Sequence, residues 1–215
     1  MGTGPFLLGV TGGMGSGKSS VCRILASLGC RVFEADRVAR CLQDSDPQLR
    51  AGIQALLGDA IYTTSQDGSP ELRRREVASL VFRDKALLGK LNALVHPAVY
   101  RAFGEAVDAA RHDGVPVLVK EAAILFESGG DKGLDAVLVV TAAKQLRVER
   151  AMKRTGLGRD EVLRRIAMQL PQDELERRAD YVIENNGTLE ELAAETGKVY
   201  RAVLSRIGEG VPGGS

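Results

Sequence analysis

The chain has 215 residues, 44% of them hydrophobic, and a formal net charge of +1 at pH 7. This near-neutral balance gives no reason to expect nucleic acid or a membrane surface as the main partner. The sequence has no basic segment followed by an apolar h-region and no apolar run of bilayer length, so we expect a soluble, cytoplasmic protein. Three cysteines without metal-ligand spacing (Cys22, Cys30 and Cys41) are typical of reduced packing residues.

A glycine-rich loop lies between the first two predicted elements. The apolar run of residues 6–10 predicts a buried strand, and helical spacing of apolar residues over 21–28 predicts a helix. Residues 12–19 between them read G-x-x-x-x-G-K-S, which predicts a nest of backbone N–H groups at a helix N-terminus. Such a nest suits polyphosphate, with Lys18 near the β- and γ-phosphates and the Ser19 hydroxyl on Mg²⁺. The alternative is a glycine-rich turn that binds nothing.

Two acidic residues follow the second predicted strand, which covers residues 30–33. Ligands of open α/β sheets lie beyond the carboxyl ends of the strands, so carboxylates at this point are candidates to meet an acceptor or Mg²⁺. We favour a functional role for Asp36 and give Glu34 the weaker claim. Asp36 also fits the N-cap of a helix over residues 37–42, and the two roles are compatible.

Residues 46–96 have a helical pattern without a convincing parallel strand. Asp46-Pro47 and Ser69-Pro70 each predict an N-cap followed by proline at the first helical position, and Asp84 predicts a further cap. We therefore expect a helical insertion that forms an acceptor pocket. Its arginine cluster, residues 73–75, fits either a solvated face or a contact with an anionic substrate.

The dipeptide His96-Pro97 predicts a helix boundary, because proline disfavours the helical conformation in the residue before it. An isolated histidine is more often a capping or packing residue than a catalyst, so the role of His96 stays open. Further strands are predicted at residues 115–119, 136–140 and 181–183. Strands separated by helical segments indicate an α/β fold with a doubly wound parallel sheet of the P-loop NTPase type.

Residues 144–165 contain eight basic and only three acidic side chains. Helical spacing places four of the basic residues on one face: Lys144, Arg147, Arg150 and Arg154. Gly156 and Gly158 then interrupt the helix like a hinge. A solvated stripe is one interpretation, and a mobile helical lid that closes arginines over transferring phosphates is the one we favour.

A larger set of residues lies in a characteristic order along the chain. It comprises residues 9–19, Ala35-Asp36, Arg40, Asp67-Gly68, Leu72, Arg74, Val81-Phe82, Leu91-Asn92, His96-Pro97, Leu125-Phe126-Glu127, Arg150, Arg154, Gln169 and Asn185-Asn186-Gly187. On these residues the chain resembles the dephospho-CoA kinase family over nearly its whole length. The resemblance implies transfer of the ATP γ-phosphate to the ribose 3′-hydroxyl of dephospho-CoA, which yields CoA and ADP in the last step of coenzyme A biosynthesis.

The resemblance also implies a three-part kinase. We predict a nucleotide-binding core formed by residues 1–45, 97–141 and 171–207. A helical acceptor domain covers residues 46–96, and a lid covers residues 142–170. Residues 208–215 are predicted to form a disordered tail. No nucleic acid or membrane partner is expected, and we expect a monomer or weak homo-oligomer.

Site residues follow from the resemblance together with the motifs. The predicted nucleotide-binding residues are Gly13, Met14, Gly15, Ser16, Gly17, Lys18, Ser19, Ser20 and Asn186, with Ser19 also on the metal. Asn186 belongs to a turn that borders the adenine, unless that turn is an ordinary one. The predicted catalytic residues are Lys18, Asp36, Arg150 and Arg154. Asp36 positions the 3′-hydroxyl and accepts its proton late, while the two arginines neutralise charge on the phosphoryl group and ADP. Arg74, His96 and Phe126 are predicted to seat the acceptor.

Three positions depart from the family pattern. Glu34 replaces the usual first aspartate of Asp-x-Asp, Ala123 replaces a frequent proline, and Ser20 replaces a common threonine. Whether the first two substitutions alter binding of the acceptor does not follow from the sequence. The third is conservative, because serine and threonine both carry a hydroxyl. Two other functions compete: another small-molecule kinase with a similar core and lid, and a nucleotide-switched NTPase without an acceptor. The switch is disfavoured because we find no Asn-Lys-x-Asp motif and no apolar strand that ends in a lone aspartate.

Overall fold

The computed structural model describes residues 4–209, apart from the side chains of Phe82, Arg83 and Glu209. Within this range the strands are β1 (Phe6–Thr11), β2 (Arg31–Glu34), β3 (Tyr62–Thr64), β4 (Pro70–Leu72), β5 (Val117–Glu121), β6 (Ala136–Thr141) and β7 (Tyr181–Glu184). The helices are α1 (Lys18–Ser27), α2 (Ala35–Ser45), α3 (Pro47–Leu57), α4 (Arg74–Arg83), α5 (Lys85–His112), α6 (Lys144–Thr155), α7 (Arg159–Ala167), α8 (Gln172–Arg177) and α9 (Leu189–Glu209).

The chain divides into two compact units. The first unit contains the residues up to Glu34 and those from Val107 onward, and the second unit contains Ala35–Ala106. The second unit differs in its limits from the predicted insertion at residues 46–96. It includes α2 because Asp44 of this helix accepts a hydrogen bond from the backbone N–H of Leu72, at 2.9 Å.

A parallel sheet of five strands, in the order β2-β5-β1-β6-β7, organises the first unit. β1 lies between β5 and β6, and Val10 is paired in register with Glu121 on one side and Leu138 on the other. Parallel strands buried on both faces are expected to be almost continuously apolar, as β1 and β6 are here. The sheet confirms the predicted fold class, and it brings the carboxyl ends of its strands to one edge.

One face of this sheet packs against α1 and α9. The buried cluster includes Val10 and Leu138 from the strands, Leu25 from α1 and Val203 from α9, each with no exposed surface. Burial of such side chains contributes roughly 1.5–3 kcal/mol each, so the cluster fixes α1 firmly against β1. The loop that joins these two elements is thereby held between rigid supports.

The second unit contains a short antiparallel hairpin formed by β3 and β4. The prediction of a helix start at Ser69-Pro70 is wrong, because Pro70 belongs to β4 and α4 begins at Arg74. Ser69 pairs across the hairpin turn instead: its carbonyl accepts from the N–H of Ser65 at 2.8 Å. Asp46, in contrast, is the N-cap of α3 as predicted, and its carboxylate accepts from two backbone N–H groups at 2.8 and 3.0 Å.

Helix α5 passes through Pro97 without a break, so the predicted boundary at His96-Pro97 is wrong. Proline cannot donate a backbone hydrogen bond, and this loss disfavours it inside a helix. Buried apolar residues lie on both sides of Pro97, among them Val95 and Val99, and their packing offsets that cost. Local propensity is a weak constraint where a long apolar face is buried.

The C-terminal helix α9 extends to Glu209, so residues 208 and 209 are helical and not part of a disordered tail. The rest of the predicted tail, residues 210–215, lies outside the described residues, as do residues 1–3 of the predicted core. Among the helices of the described range, none has the length and apolar character needed to cross a membrane.

Candidate active site at the glycine-rich loop

The glycine-rich loop connects β1 to the N-terminus of α1, as predicted. Gly12, Gly15 and Gly17 have positive φ angles of 147°, 80° and 103°. A β-carbon on Gly12 would lie 2.1 Å from the carbonyl oxygen of Val140, so glycine is required at this point by sterics as well as by φ. The bend turns the loop back over the start of α1, where helix N–H groups have no partners within the helix.

The loop combines backbone donors with a cation and an uncompensated hydroxyl. The Lys18 amine donates to the carbonyl oxygen of Gly12 at 2.6 Å, which keeps its charge against the loop. Ser16 is 1% exposed, and its Oγ is buried without a hydrogen-bond partner in the described part of the chain. A helix N-terminus with these groups is suited to hold an anion rich in acceptor oxygens.

Three side chains from distant segments hold the loop backbone. Gln169 Oε1 accepts from the N–H of Met14 at 2.7 Å, and Arg147 Nε donates to the carbonyl of the same residue at 3.2 Å. Asn185 Nδ2 donates to the carbonyl of Ser16 at 2.8 Å. None of these three was predicted as a site residue. Gln169 and Asn185 carried a signal as parts of the family pattern, while Arg147 carried only its place in the basic stripe.

Two carboxylates lie at the carboxyl edge of the sheet near Lys18. Glu34 at the end of β2 is paired in register with Glu121 at the end of β5. Burial, together with the charges of Glu121 and Glu34, raises the pKa of the nearby Cys22 thiol to about 12, while the charge of Lys18 acts in the opposite direction. Glu121 was not among the predicted site residues, although an apolar strand that ends in an acidic residue at a sheet edge is a usable signal for one.

Asp36 lies in the first turn of α2, in the second unit, and its side chain is exposed. The helix begins at Ala35, so the prediction that Asp36 is its N-cap is wrong. In the chain, Asp36 follows the end of β2 by two residues. A carboxylate in the first turn of a helix lies near the positive end of the helix dipole.

The predicted lid arginines differ in their surroundings. Arg150 is half-buried on α6, and its Nη1 donates to the carbonyl oxygen of Asn185 at 2.9 Å. Arg154, one turn later, is exposed. Gly156 ends α6 in the left-handed conformation, with φ 69°, and α7 begins at Arg159. The predicted interruption of the basic helix is therefore present.

The Asn185-Asn186-Gly187 turn borders a surface cavity of about 300 Å³. Asn186 Oδ1 accepts from the N–H of Ala143 at 2.7 Å, and its Nδ2 donates to the Glu184 carboxylate at 2.5 Å. The Asn186 amide thus shapes the wall of the cavity.

Ser20, the last of the predicted nucleotide-binding residues on α1, has a partner within its own helix. Its Oγ accepts a hydrogen bond from Arg23 at 3.1 Å.

Two of the predicted acceptor residues belong to the second unit. The Arg74 guanidinium donates to the carbonyl of Arg40 at 2.9 Å and forms an ion pair with Asp44. Burial lowers the pKa of His96 below its usual range, and its ring centroid lies 6.2 Å from that of Tyr100. His96 is therefore mainly neutral at pH 7, suited to donate and accept hydrogen bonds.

Phe126 belongs to the first unit and is 6% exposed. The guanidinium carbon of Arg178 lies 4.2 Å from the centroid of its ring, so a cation–π contact covers one ring face. The neighbouring Glu127 accepts from the N–H of Leu170 at 3.1 Å. These contacts tie the segment after β5 to the segment after α7 and to the end of α8.

Comparisons with known proteins identify the family. The family model described as dephospho-CoA kinase matches residues 6–191. The dephospho-CoA kinase of Chlorobium chlorochromatii is 52% identical over 203 residues, which cover 94% of this chain and 95% of that relative. The chain belongs to the dephospho-CoA kinase family. Its members in the comparison also include the enzyme of Chlorobaculum tepidum, which is 46% identical over 94% of this chain and 97% of its own length.

Solved structures agree with this family fold. A crystal structure of the Thermus thermophilus protein TT1252 superposes with a TM-score of 0.79 at 35% identity, covering 95% of this chain and 98% of that chain. A dephospho-CoA kinase from Campylobacter jejuni has the same fold, with a TM-score of 0.66 at 24% identity over 92% of this chain and 96% of that chain. As a member of the family, the chain is a kinase that uses ATP to phosphorylate dephospho-CoA in coenzyme A biosynthesis. The predicted family, enzyme class and reaction are confirmed.

Proposed function

We propose that residues 13–20 of the loop and the first turn of α1 hold the ATP phosphates during this reaction. The observation that carries the proposal is the loop itself: it places positive-φ glycines and Lys18 at the N-terminus of α1, and the buried Ser16 hydroxyl has no partner in the described residues. In this arrangement the Lys18 amine leaves the Gly12 carbonyl and neutralises charge on the β- and γ-phosphates.

The Ser19 hydroxyl would hold Mg²⁺, which neutralises charge on the phosphate oxygens when it is bound with ATP. Ser19 is exposed in the first turn of α1, next to Lys18. The described residues contain no group of three acidic, histidine or cysteine side chains able to hold a metal. A single hydroxyl ligand from the protein fits Mg²⁺, because the ion keeps several waters and takes its other oxygens from the nucleotide.

Asp36 positions the ribose 3′-hydroxyl of dephospho-CoA and accepts its proton late in the transfer. Its carboxylate is exposed, and it follows the carboxyl end of β2 along the chain, where ligands of open α/β sheets bind. A loose phosphoryl transition state demands little base strength, so a carboxylate can accept this proton.

Arg150 and Arg154 stabilise the charge that moves from the γ-phosphoryl group onto ADP. Both lie on α6, within the proposed lid of residues 142–170, and the exposed Arg154 precedes the left-handed Gly156. Positive charges held in position beside a transferring phosphoryl group strongly stabilise the transition state in such sites. Asn186 borders the adenine, and the cavity beside its turn supports this role.

Arg74 and His96, in the insertion at residues 46–96, contribute polar contacts to the acceptor. Phe126, which lies outside that insertion, contributes an apolar contact. Support comes from the position of Arg74, which holds α2 through Asp44 and the Arg40 carbonyl. We place the enzyme in the cytoplasm as a monomer or weak homo-oligomer, and its three cysteines are free, as a reducing compartment requires.

The test is release of ADP from ATP with and without dephospho-CoA, together with direct measurement of ATP binding. We expect Asp36→Asn to lower kcat by about 100-fold, the lower end of general-base effects, with unchanged ATP affinity. Asp59→Asn is the matched control, because Asp59 is also exposed near a helix start in the second unit, and it should leave kcat unchanged.

Lys18→Ala should abolish measurable ATP binding. Near-normal turnover of Asp36→Asn would refute the role of Asp36, and undiminished ATP binding by Lys18→Ala would refute the assignment of the loop. A panel of AMP, CMP and shikimate as alternative acceptors should give no ADP release above background. Hydrolysis at an equal rate with and without dephospho-CoA would instead indicate a nucleotide switch.

A further inference from the structure

The backbone of Met14, at the tip of the phosphate-binding loop, is held by side chains from α6 and from the segment after α7. Its N–H donates to Gln169 Oε1 at 2.7 Å, and its carbonyl accepts from Arg147 Nε at 3.2 Å. Arg147 lies on α6, and Gln169 follows α7 by two residues. Helix α6 and the segment after α7 therefore fix the carbonyl and the N–H of one loop residue.

The Met14 side chain adds an apolar contact to the same helix pair. It packs against a buried cluster formed by Val148 and Ala151 of α6 and Val162 of α7, all at most 1% exposed. Backbone and side chain of Met14 thus depend on the same two helices. A change in these helices must alter the loop, because close-packed contacts transmit displacements.

Arg147 is a buried cation that forms no ion pair with any carboxylate of the described side chains. It is 7% exposed, and burial lowers its pKa. Its second hydrogen bond runs from Nη1 to Gln172 Oε1 at 3.2 Å, and no ion pair involves Arg147 among the described side chains. Burying an unpaired charge is costly, so an anion close to the guanidinium is needed to offset the cost.

The guanidinium lies directly on the phosphate-binding loop. A β-carbon on Gly13 would be 2.0 Å from Arg147 Nη2, and one on Gly15 would be 2.1 Å from the Arg147 carbonyl oxygen. The charge of Arg147 is therefore beside the backbone that faces polyphosphate. In a buried setting, such a charge interacts with an anion far more strongly than it would in water.

We propose that Arg147 and Gln169 are positioning residues for the triphosphate of ATP. Together they fix the Met14 backbone, which sets the shape of the loop, and the buried charge of Arg147 makes the loop selective for a highly charged polyphosphate. The inference rests on the proposed role of the loop in holding ATP. It adds that α6 and the segment after α7 determine how tightly the loop does so.

The experiment measures ATP binding by calorimetry and steady-state kinetics on full-length variants. Arg147→Met removes the charge and keeps an apolar stem, and we expect the Kd and KM for ATP to rise about 10- to 100-fold, as for loss of a charged hydrogen bond. Gln169→Met should raise them about 3- to 10-fold, as for loss of a neutral one. Arg164→Met is the matched control, because Arg164 is an exposed α7 arginine paired with Glu161.

Two further readouts separate positioning from general stability. At saturating ATP, the KM for dephospho-CoA should be unchanged in both variants, and Arg147→Lys should recover part of the ATP affinity through its charge. The double variant should raise the ATP Kd by less than the product of the two single fold-changes, because both side chains hold the same residue, Met14. A lowered melting temperature with unchanged ATP Kd in every variant would overturn the inference.

Failure of the underlying assignment gives a different pattern. If Lys18→Ala binds ATP like the wild type, the loop is not the ATP site and the proposed function fails. If Lys18→Ala loses ATP while Arg147→Met and Gln169→Met keep it, only the positioning role is refuted. Should Arg147→Met fail to fold, Arg147→Lys and Gln169→Met carry the same decision, since unchanged ATP Kd in both would refute the role.

Discussion

Substitution of Gly13 by alanine tests the contact between Arg147 and the loop with the smallest possible change. The added β-carbon would lie 2.0 Å from Nη2, 2.5 Å from Cζ and 3.1 Å from Nε of Arg147. Gly13 has no positive φ, so alanine meets no backbone penalty at this position. The only groups that the methyl meets at these distances belong to one side chain, which must move by more than an ångström to reach van der Waals separation.

The magnitude follows from the bonds that this movement breaks. The guanidinium donates to the Met14 carbonyl and to Gln172 Oε1, both at 3.2 Å, and neither bond survives such a displacement. A hydrogen bond from a charged group contributes about 1.5–3 kcal/mol. Loss of the bond to Met14 alone should therefore weaken ATP binding by about 10- to 100-fold.

The assay is the ATP Kd of Gly13→Ala measured in the wild type and in an Arg147→Ala background. In the wild-type background we expect Gly13→Ala to raise the ATP Kd by about 10- to 100-fold, because the methyl displaces the guanidinium. In the Arg147→Ala background the three atoms that the methyl would meet are absent, so Gly13→Ala should change the Kd by less than about twofold. An equal loss in both backgrounds would refute the reasoning, because the methyl would then act on the loop or on ATP directly.

Two further predictions concern stability and thiol chemistry. Asp46→Ala removes the carboxylate that accepts from Gln48 and Leu49, and urea denaturation should show a loss of about 1 kcal/mol in unfolding free energy with unchanged ATP Kd; an unchanged urea midpoint would contradict it. Burial raises the pKa of Cys22 to about 12 and that of Cys30 to about 11, so at pH 8 a thiol reagent should modify only the exposed Cys41 rapidly. Because the folded state keeps these two protons above pH 9 while the unfolded chain loses them, the unfolding free energy should fall as pH rises from 9 towards 12, and less steeply in Cys22→Ala.

Much of the first unit was predictable because its signals are local. The spacing of glycines, Lys18 and Ser19 predicted the loop, and apolar runs predicted the positions of β1, β5, β6 and β7 within a few residues. In the second unit, local signals competed. Ser69-Pro70 was interpreted as a helix start, but the hairpin between β3 and β4 uses the Ser69 backbone for pairing.

Pro97 shows the same limit for helices. The sequence rule for proline describes a chain segment in isolation, where the lost hydrogen bond is decisive. In the folded chain, the buried residues Val95, Ala98 and Val99 lie on either side of Pro97 within one helix. Their burial is a tertiary property that no local rule contains.

By itself, the sequence determined the glycine-rich loop between β1 and α1 and the family, because both depend on contiguous motifs in a fixed order. Only the tertiary structure decided which distant side chains hold that loop. Helical spacing placed Arg147 on the same face as Arg150 and Arg154, but packing turned its guanidinium inward onto Gly13 and Met14. Gln169 and Asn185 reach the loop from segments far away in the chain, and such contacts arise only when the helices pack against the sheet.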